Sequence, residues 1–204
     1  MLSDVIRAVW RPGLALALSG VGFAAITTFV PLLFLERGWS HAWMGLTAFS
    51  VAFMVARVVF GHLPDQIGGA KVAVASMVIE AIGLFVIWDA SGLATALVGV
   101  VLSGLGYALV YPGLGVEAVR HAPAQSRGAA MGTYTAFLDL SLGVASPMLG
   151  FTAQALTLNA VFLVSALIVI ATIAIAYFLV LPRRGSYRLE HDEPLRDIAD
   201  GVCA

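Results

Sequence analysis

Two carboxylates, Glu80 and Asp139, lie inside apolar stretches of this chain rather than at their ends. A carboxylate at the centre of a membrane costs about 2.5–3.5 kcal/mol on insertion scales, so it normally faces a cavity or a hydrogen-bonding partner. In such a position it can also take up and release a proton while a solute is moved. Asp139 and Glu80 are therefore the candidates for proton coupling.

Asp139 is the preferred candidate because its neighbours are polar. Thr135 lies one helical turn away on the same face. The alternative, a protonated or hydrogen-bonded packing residue, stays equally open. Glu80 has less polar company, and a structural hydrogen bond is the favoured interpretation there.

A polar and aromatic stripe could line a cavity for a solute. Ser103, Tyr107 and Tyr111 repeat at four-residue spacing, so they share one face of a helix. The stripe could bind a ligand by stacking and hydrogen bonding, although aromatic residues in membrane helices also simply pack. Four further residues are candidates for the same cavity: Thr27, Thr28, Tyr134 and Thr135.

The elements that must position these residues are membrane helices. Of the 204 residues, 60% are hydrophobic and 11% are charged, and the mean hydropathy is +0.96. A soluble core of this size cannot bury so many apolar side chains. Six apolar runs come near the roughly 20 residues that a bilayer crossing requires. We therefore predict an all-α membrane protein with a six-helix transmembrane domain over 12–181, its spans at 12–35, 42–60, 72–88, 93–116, 128–149 and 159–181.

Small residues and prolines within these spans predict how the helices meet. Small residues let helix backbones approach closely, whereas prolines tend to kink a membrane helix. The prolines within spans are Pro31, Pro112 and Pro147. The small residues recur at three- or four-residue spacing on the fourth and fifth spans: Gly99, Ser103, Gly106, Gly128, Gly132, Gly143, Ser146 and Gly150.

The positive charges predict the orientation, because loops rich in lysine and arginine stay in the cytoplasm. Six crossings place both termini on the same side as the second and fourth loops. That side holds every lysine and arginine except Arg37. Both termini are therefore expected to be cytoplasmic, with an amphipathic linker at 1–11 and a charged tail at 182–204.

Other classes of function find little support. The net charge of -1 gives no reason to expect nucleic acid as a partner. A lone cysteine and histidines confined to loops and tail provide no metal-ligand spacing. An intramembrane serine protease would need a base beside its nucleophile, and no span contains a histidine. We expect no enzyme activity, cofactor or metal, and the expected partners are the lipid bilayer and a small solute.

The polar turn GHLPDQIGGAK, at 61–71, joins the second predicted span to the third. Its residue types and offsets resemble the signature loop of the major facilitator superfamily, and the resemblance extends over all six spans. The matching positions are Gly61, Leu63, Asp65, Gly68 and Lys71.

Two further segments carry the resemblance. Arg127-Gly128 opens the fifth span, and Ser146-Pro147-x-x-Gly150 is similar to the glycine-proline motif of the family's antiporters. The chain departs from the family where basic residues or glycines are frequent, at Gln66, Gly69, Ala70, Ser146 and Phe151. These departures weaken an antiporter assignment more than the family assignment.

The resemblance implies twelve helices in two halves, each a 3+3 inverted repeat, around a central cavity. The first half usually has an Arg-x-x-x-Gly-x-Gly pattern in its fourth helix, but the span at 93–116 contains no arginine. The chain is therefore expected to be the carboxyl-terminal half, similar to sugar-efflux and drug-efflux permeases of a bacterial inner (plasma) membrane.

The implied function is a secondary transporter that exports a small solute by alternating access, coupled to protons. It would need the missing amino-terminal half or a second copy of this chain. The alternative is a truncated, non-transporting membrane protein that packs with or regulates a partner.

The resemblance also implies that the turn is part of a gate. Asp65 would bind the positive amino-terminal end of a helix in the opposite half, with Arg57 and Lys71 available to orient it. That contact would hold the cytoplasmic side shut until a solute or proton binds. Alternatively, Asp65 is a simple turn or cap residue. Tight or left-handed turns would be permitted by the glycines of the segment: Gly61, Gly68 and Gly69.

Overall fold

The computed structural model describes residues 2–39, 41–120, 122 and 124–179. The helices of this part are α1 (Leu2–Glu36), α2 (Trp43–Phe60), α3 (Leu63–Ile67), α4 (Gly69–Trp88), α5 (Leu93–Tyr107), α6 (Val110–Arg120), α7 (Arg127–Ala155) and α8 (Leu158–Leu179). A short 3-10 helix at Ala124–Ser126 precedes α7. The predicted tail at 182–204 lies outside the described residues.

Six helical stretches within the described residues are long and apolar enough to cross a membrane. They correspond one to one with the six predicted spans, and α5 and α6 together make the fourth. The prediction of an all-α bundle with six membrane helices is confirmed.

Two helices extend beyond the predicted spans. The proposed linker at 1–11 contributes, from Leu2 onward, to α1, which continues through Pro12 and Pro31. Helix α7 continues through Pro147 to Ala155, so the predicted break at 150–158 is reduced to Leu156 and Thr157. A proline removes only one backbone hydrogen bond, and neighbouring helices hold the chain in its helical path.

The fourth span is broken near Pro112. Helix α5 ends at Tyr107 and α6 begins at Val110. Because Pro112 has no N–H, the carbonyl of Ala108 lacks its helical donor. The helical pattern resumes where Gly113 N donates to Leu109 O at 2.9 Å. The predicted kink is thus a change of helix that separates Tyr107 from Tyr111.

Helix α4 lies against α5, α6 and α8, while α1 packs on α7 and α8. The backbones of α4 and the fourth span nearly touch. A Cβ atom at Gly83 would lie 2.7 Å from Gly99 O, and one at Gly106 would overlap Glu80 N. At the end of the same contact, a Cβ atom at Gly69 would overlap Gly113 O. The predicted close packing through Gly99, Ser103 and Gly106 therefore occurs between α4 and α5.

Helices α2 and α7 have the least burial. In their most apolar stretches only 22% of the residues of α2 and 11% of those of α7 are buried, against 56% for α1 and α4. The glycines predicted to pack on α7 meet nothing within 4 Å of an added Cβ atom. Three of these glycines are exposed and, with two other exposed residues, form what we call the small-residue stripe: Gly128, Gly132, Ala136, Asp139 and Gly143. Large exposed side chains occupy the adjacent face of α7: Leu140, Val144, Met148 and Phe151.

Candidate functional site

The glycines of the turn between α2 and α4 have different roles. Only Gly68 has a left-handed backbone, with φ of 98°. Gly61 has a φ of -59°, and Gly69 begins α4. Gly61 lies in the turn that follows α2, as expected, whereas Gly69 is helical and supplies no turn, so the expectation of a tight or left-handed turn is wrong for Gly69. Gly69 instead permits the close approach of α4 to Gly113 on α6.

Asp65 lies on the short helix α3 and is exposed. Within the described part of the chain it forms no hydrogen bond and no ion pair, including with Arg57 or Lys71. The Arg57 guanidinium carbon instead lies 6.0 Å from the centre of the Phe53 ring. Asp65 is therefore available to a group from outside these helices.

Four rings form an aromatic cluster that joins α1, α2 and α5: Phe23, Phe49, Phe53 and Tyr107. The rings of Phe23 and Tyr107 are stacked with centroids 4.9 Å apart. Phe49 lies 5.8 Å from Phe23, and Phe53 lies 6.3 Å from Tyr107. Phe23 and Phe53 are half-buried, so the cluster presents part of two rings at its edge.

Hydroxyl groups join the next segment of the fourth span to α7. The Tyr111 and Thr135 hydroxyl oxygens are 3.0 Å apart. Thr135 Oγ1 donates to Met131 O at 3.0 Å, so Tyr111 is the donor to Thr135. Tyr134 Oη donates to Tyr111 O at 2.8 Å. Tyr111 is thus bound to α7 through both its side chain and its backbone.

Tyr134→Phe tests this link between α6 and α7. We expect the variant to lower the free energy of unfolding by about 0.5–1.5 kcal/mol, because Tyr134 is fully buried and Tyr111 O loses a donor. Thr152→Val is the matched control, since Thr152 Oγ1 donates within its own helix to Met148 O. Thermal unfolding in detergent measures both. Equal losses in the two variants would contradict an inter-helix role for Tyr134.

The remaining cavity candidates do not belong to the aromatic cluster or to the hydrogen-bonded group of Tyr111, Tyr134 and Thr135. Ser103 is fully buried where α4 meets α5, and its hydroxyl has no partner among the described residues. Thr27 Oγ1 donates to Phe23 O of its own helix at 2.9 Å, and Thr28 is exposed. The structure therefore brings together Tyr111, Tyr134 and Thr135, with Tyr107 across the break.

The two carboxylates occupy opposite environments. Asp139 is exposed on the small-residue stripe and forms no hydrogen bond or ion pair within the described residues. Glu80 is fully buried, and Ser19 Oγ donates to its Oε2 at 3.0 Å. The structural hydrogen bond expected for Glu80 is present, although Ser19 was not recognised as its partner. Their separation of 61 positions in the chain hides that contact from the sequence.

The aromatic rings that complete the cluster were also missed. Phe49 and Phe53 are four residues apart, so they share one face of α2. That spacing is a usable signal, but Phe23 joins them only through the packing of α1. Aromatic faces followed by hydroxyl groups are suited to stacking on, and hydrogen bonding with, a small organic solute.

Comparison with known proteins agrees with the architecture. The sequence model described as Major Facilitator Superfamily matches residues 12–199. An uncharacterised MFS-type transporter of Pseudomonas aeruginosa (strain UCBPP-PA14) is 40% identical over 172 residues, which are 84% of this chain and 43% of the relative.

Uncharacterised MFS-type transporters of two other bacteria are similar to the same extent. That of Salmonella typhimurium is 39% identical over 86% of this chain and 45% of its own length. That of Burkholderia mallei (strain SAVP1) is 42% identical over 85% of this chain and 43% of its own length. The chain thus spans less than half the length of these relatives. With six membrane helices and these matches, the chain belongs to the major facilitator superfamily.

Proposed function

We propose that this chain is the carboxyl-terminal six-helix half of a secondary transporter that exports a small solute by alternating access. The exposed small-residue stripe of α7 is the observation that carries the proposal, because it marks a helix face built for close contact with another helix. The length of the relatives supports a second six-helix half as the occupant of that face.

Helix α2 supports the same arrangement. Its exposed side includes polar and charged residues, Thr47, Ser50 and Arg57, which are costly to place against lipid. A second half seated against α2 and α7 would cover these residues and the stripe together. The half-buried rings of Phe23 and Phe53 would then lie close to the boundary between the halves, where transporters of this kind bind their solutes.

Asp65 is the proposed gate residue between the two halves. It is exposed and unpaired within the described residues, so it can bind the amino-terminal end of a helix of the other half. The contact would close the cytoplasmic side, where both termini lie under the proposed orientation in a bacterial inner membrane. Opening would then require that contact to break as the two halves rock.

Asp139 is the proposed proton-coupling residue. It lies on the stripe, so in a complete transporter it would be enclosed between α7 and the other half. A carboxyl group there can exchange a proton only while one side of the membrane has access to it. Enclosure and release of the proton would thus follow the rocking of the halves.

Asp139→Asn removes this exchangeable proton while it keeps the side-chain shape. In vesicles that contain both halves, we expect solute flux driven by a proton gradient to fall at least about tenfold, as for loss of a proton-transfer group. Solute exchange without a gradient is expected to continue. A panel of sugars and lipophilic cations supplies the test solutes, and Asp89→Asn, at an exposed carboxylate outside the spans, is the control. Undiminished gradient-driven flux in Asp139→Asn would remove the coupling proposal.

A non-transporting protein that packs with or regulates a partner is the second candidate function. The same exposed faces of α2 and α7 favour it, because they fit any helical partner of similar shape. The mass of the purified protein, measured with and without a co-expressed amino-terminal half, separates the two proposals. A stable, inert monomer in both preparations would exclude the transporter for this chain.

A further inference from the structure

Glu80 occupies a niche between α1, α4 and α5 that glycines make possible. A Cβ atom at Gly22 of α1 would overlap Glu80 Oε1, and a Cβ atom at Gly106 of α5 would overlap Glu80 N. The carboxyl group is therefore packed directly against the backbone of α1. A side chain at Gly22 would force the carboxyl group to move.

The niche provides one hydrogen bond to the carboxyl group. Ser19 Oγ donates to Oε2, whereas Oε1 has no partner among the described residues. An ionised carboxylate accepts several hydrogen bonds and needs a counter-charge when it is buried. The backbone of Gly22 lies beside Oε1, and no donor from the described helices reaches that oxygen.

Within the described residues Glu80 forms no ion pair, and on α6, which also packs against α4, the charged residues Glu117 and Arg120 lie at the carboxyl-terminal end. In α1 the charged residues lie toward the ends of the helix, at Asp4, Arg7, Arg11 and Glu36, and α8 contains none between Leu158 and Leu179. On α5 the nearby titratable group is the phenol of Tyr107, which is neutral at ordinary pH. The environment therefore stabilises the neutral carboxyl group and not the carboxylate.

We infer that Glu80 carries a proton in this conformation and that the neutral carboxyl group fastens α1 to α4 through Ser19. Helices α1, α4 and α5 enclose the carboxyl group, and α1 covers its oxygen atoms at Ser19 and Gly22. Release of the proton from Glu80 to water therefore requires α1 to move away from α4 at these two residues. Protonation and the α1–α4 contact are then a single two-state element.

The consequence for transport rests on the proposed function. While Glu80 is protonated, α1 and α4 move as one body, and the Phe23 ring of α1 stays stacked on Tyr107 of α5. Proton release would free α1 and change the position of Phe23, which lies one residue after Gly22. Glu80 is thus a positioning residue that acts through α1, distinct from Asp139 on the open face of α7.

Infrared spectroscopy of the purified chain tests the inference without any transport. We expect a carbonyl stretching band of a protonated carboxyl group that persists at neutral pH and is lost in Glu80→Gln. Ser19→Ala should shift that band to higher frequency, because the carbonyl oxygen loses its donor. Ser165→Ala is the control, because Ser165 is buried and its hydroxyl has no partner among the described residues, and it should leave the band in place.

Each outcome decides the inference. A wild-type protein without the band, or a band that survives in Glu80→Gln, would overturn it. If Glu80→Gln does not fold, the shift in Ser19→Ala decides, and an unshifted band would equally count against the contact. This band tests whether Glu80 is protonated. The role of Glu80 in transport is tested separately, by solute flux in Glu80→Gln and Ser19→Ala. Loss of flux coupling with an intact band in Asp139→Asn would separate the two sites.

Discussion

Alanine at Gly83 or Gly106 is expected to disrupt the six-helix bundle, whereas alanine at Gly132 is expected to leave it intact. The Cβ atom added at Gly106 would meet backbone atoms of Glu80 and Ser76, and that at Gly83 would meet backbone atoms of Ser103 and Gly99. Backbone atoms cannot rotate away as a side chain can, so α4 and α5 must move apart. Overpacking of a core costs about 1–3 kcal/mol, and we expect each variant at or above the upper end.

Gly132→Ala is the matched control because the same change is made in another membrane helix. The added Cβ atom meets nothing within 4 Å, and alanine favours the helix by up to about 1 kcal/mol over glycine. Thermal unfolding in detergent and the yield of folded protein measure the difference. If Gly106→Ala and Gly132→Ala unfold at the same temperature, the close contact between α4 and α5 is not what stabilises the bundle.

A pair of leucines on the small-residue stripe is expected to abolish assembly with a second six-helix half. Gly132→Leu combined with Gly143→Leu fills the space into which a partner helix would pack, while both positions are exposed in this chain. With about 1–3 kcal/mol lost at each crowded position, association should weaken by roughly a hundredfold or more.

The association is measured by co-purification or energy transfer between this chain and the amino-terminal half of a relative. Val144→Leu is the control, since Val144 belongs to the adjacent face with large apolar side chains and is already 50% exposed. The double variant should keep the wild-type unfolding temperature when the chain is alone. Association that is equal in the double variant and in Val144→Leu would show that the partner does not use the stripe.

These two predictions concern glycines that look alike in the sequence. Gly99, Ser103 and Gly106 on the fourth span, like Gly128 and Gly132 on the fifth, recur at three- or four-residue spacing, and both sets predict close helix packing. The structure distinguishes the two sets, because α4 occupies the space beside the first set, whereas the space beside the second set is empty among the described residues. Spacing determines that residues share a helix face, but the neighbour of that face depends on the arrangement of the other helices.

The carboxylates show the same limit of sequence-based prediction. Asp139 has polar neighbours and is the preferred functional residue, yet the structure places it on the exposed stripe. Glu80 has apolar neighbours in sequence, yet it is the one enclosed and hydrogen-bonded, by a serine on α1. The partner comes from another helix, so the residues next to Glu80 in the sequence do not indicate it.

The sequence by itself determined the class of this protein, the six membrane helices and the family. Those properties depend on composition, on the length of apolar runs and on a short motif, all of which are local along the chain. The tertiary structure alone decided the break between α5 and α6, the contact of Ser19 with Glu80 and the open face of α7. These features depend on which helix surfaces meet, and in a membrane many apolar surfaces satisfy the hydropathy pattern equally. Close contact of backbones and the pairing of buried polar groups select among them.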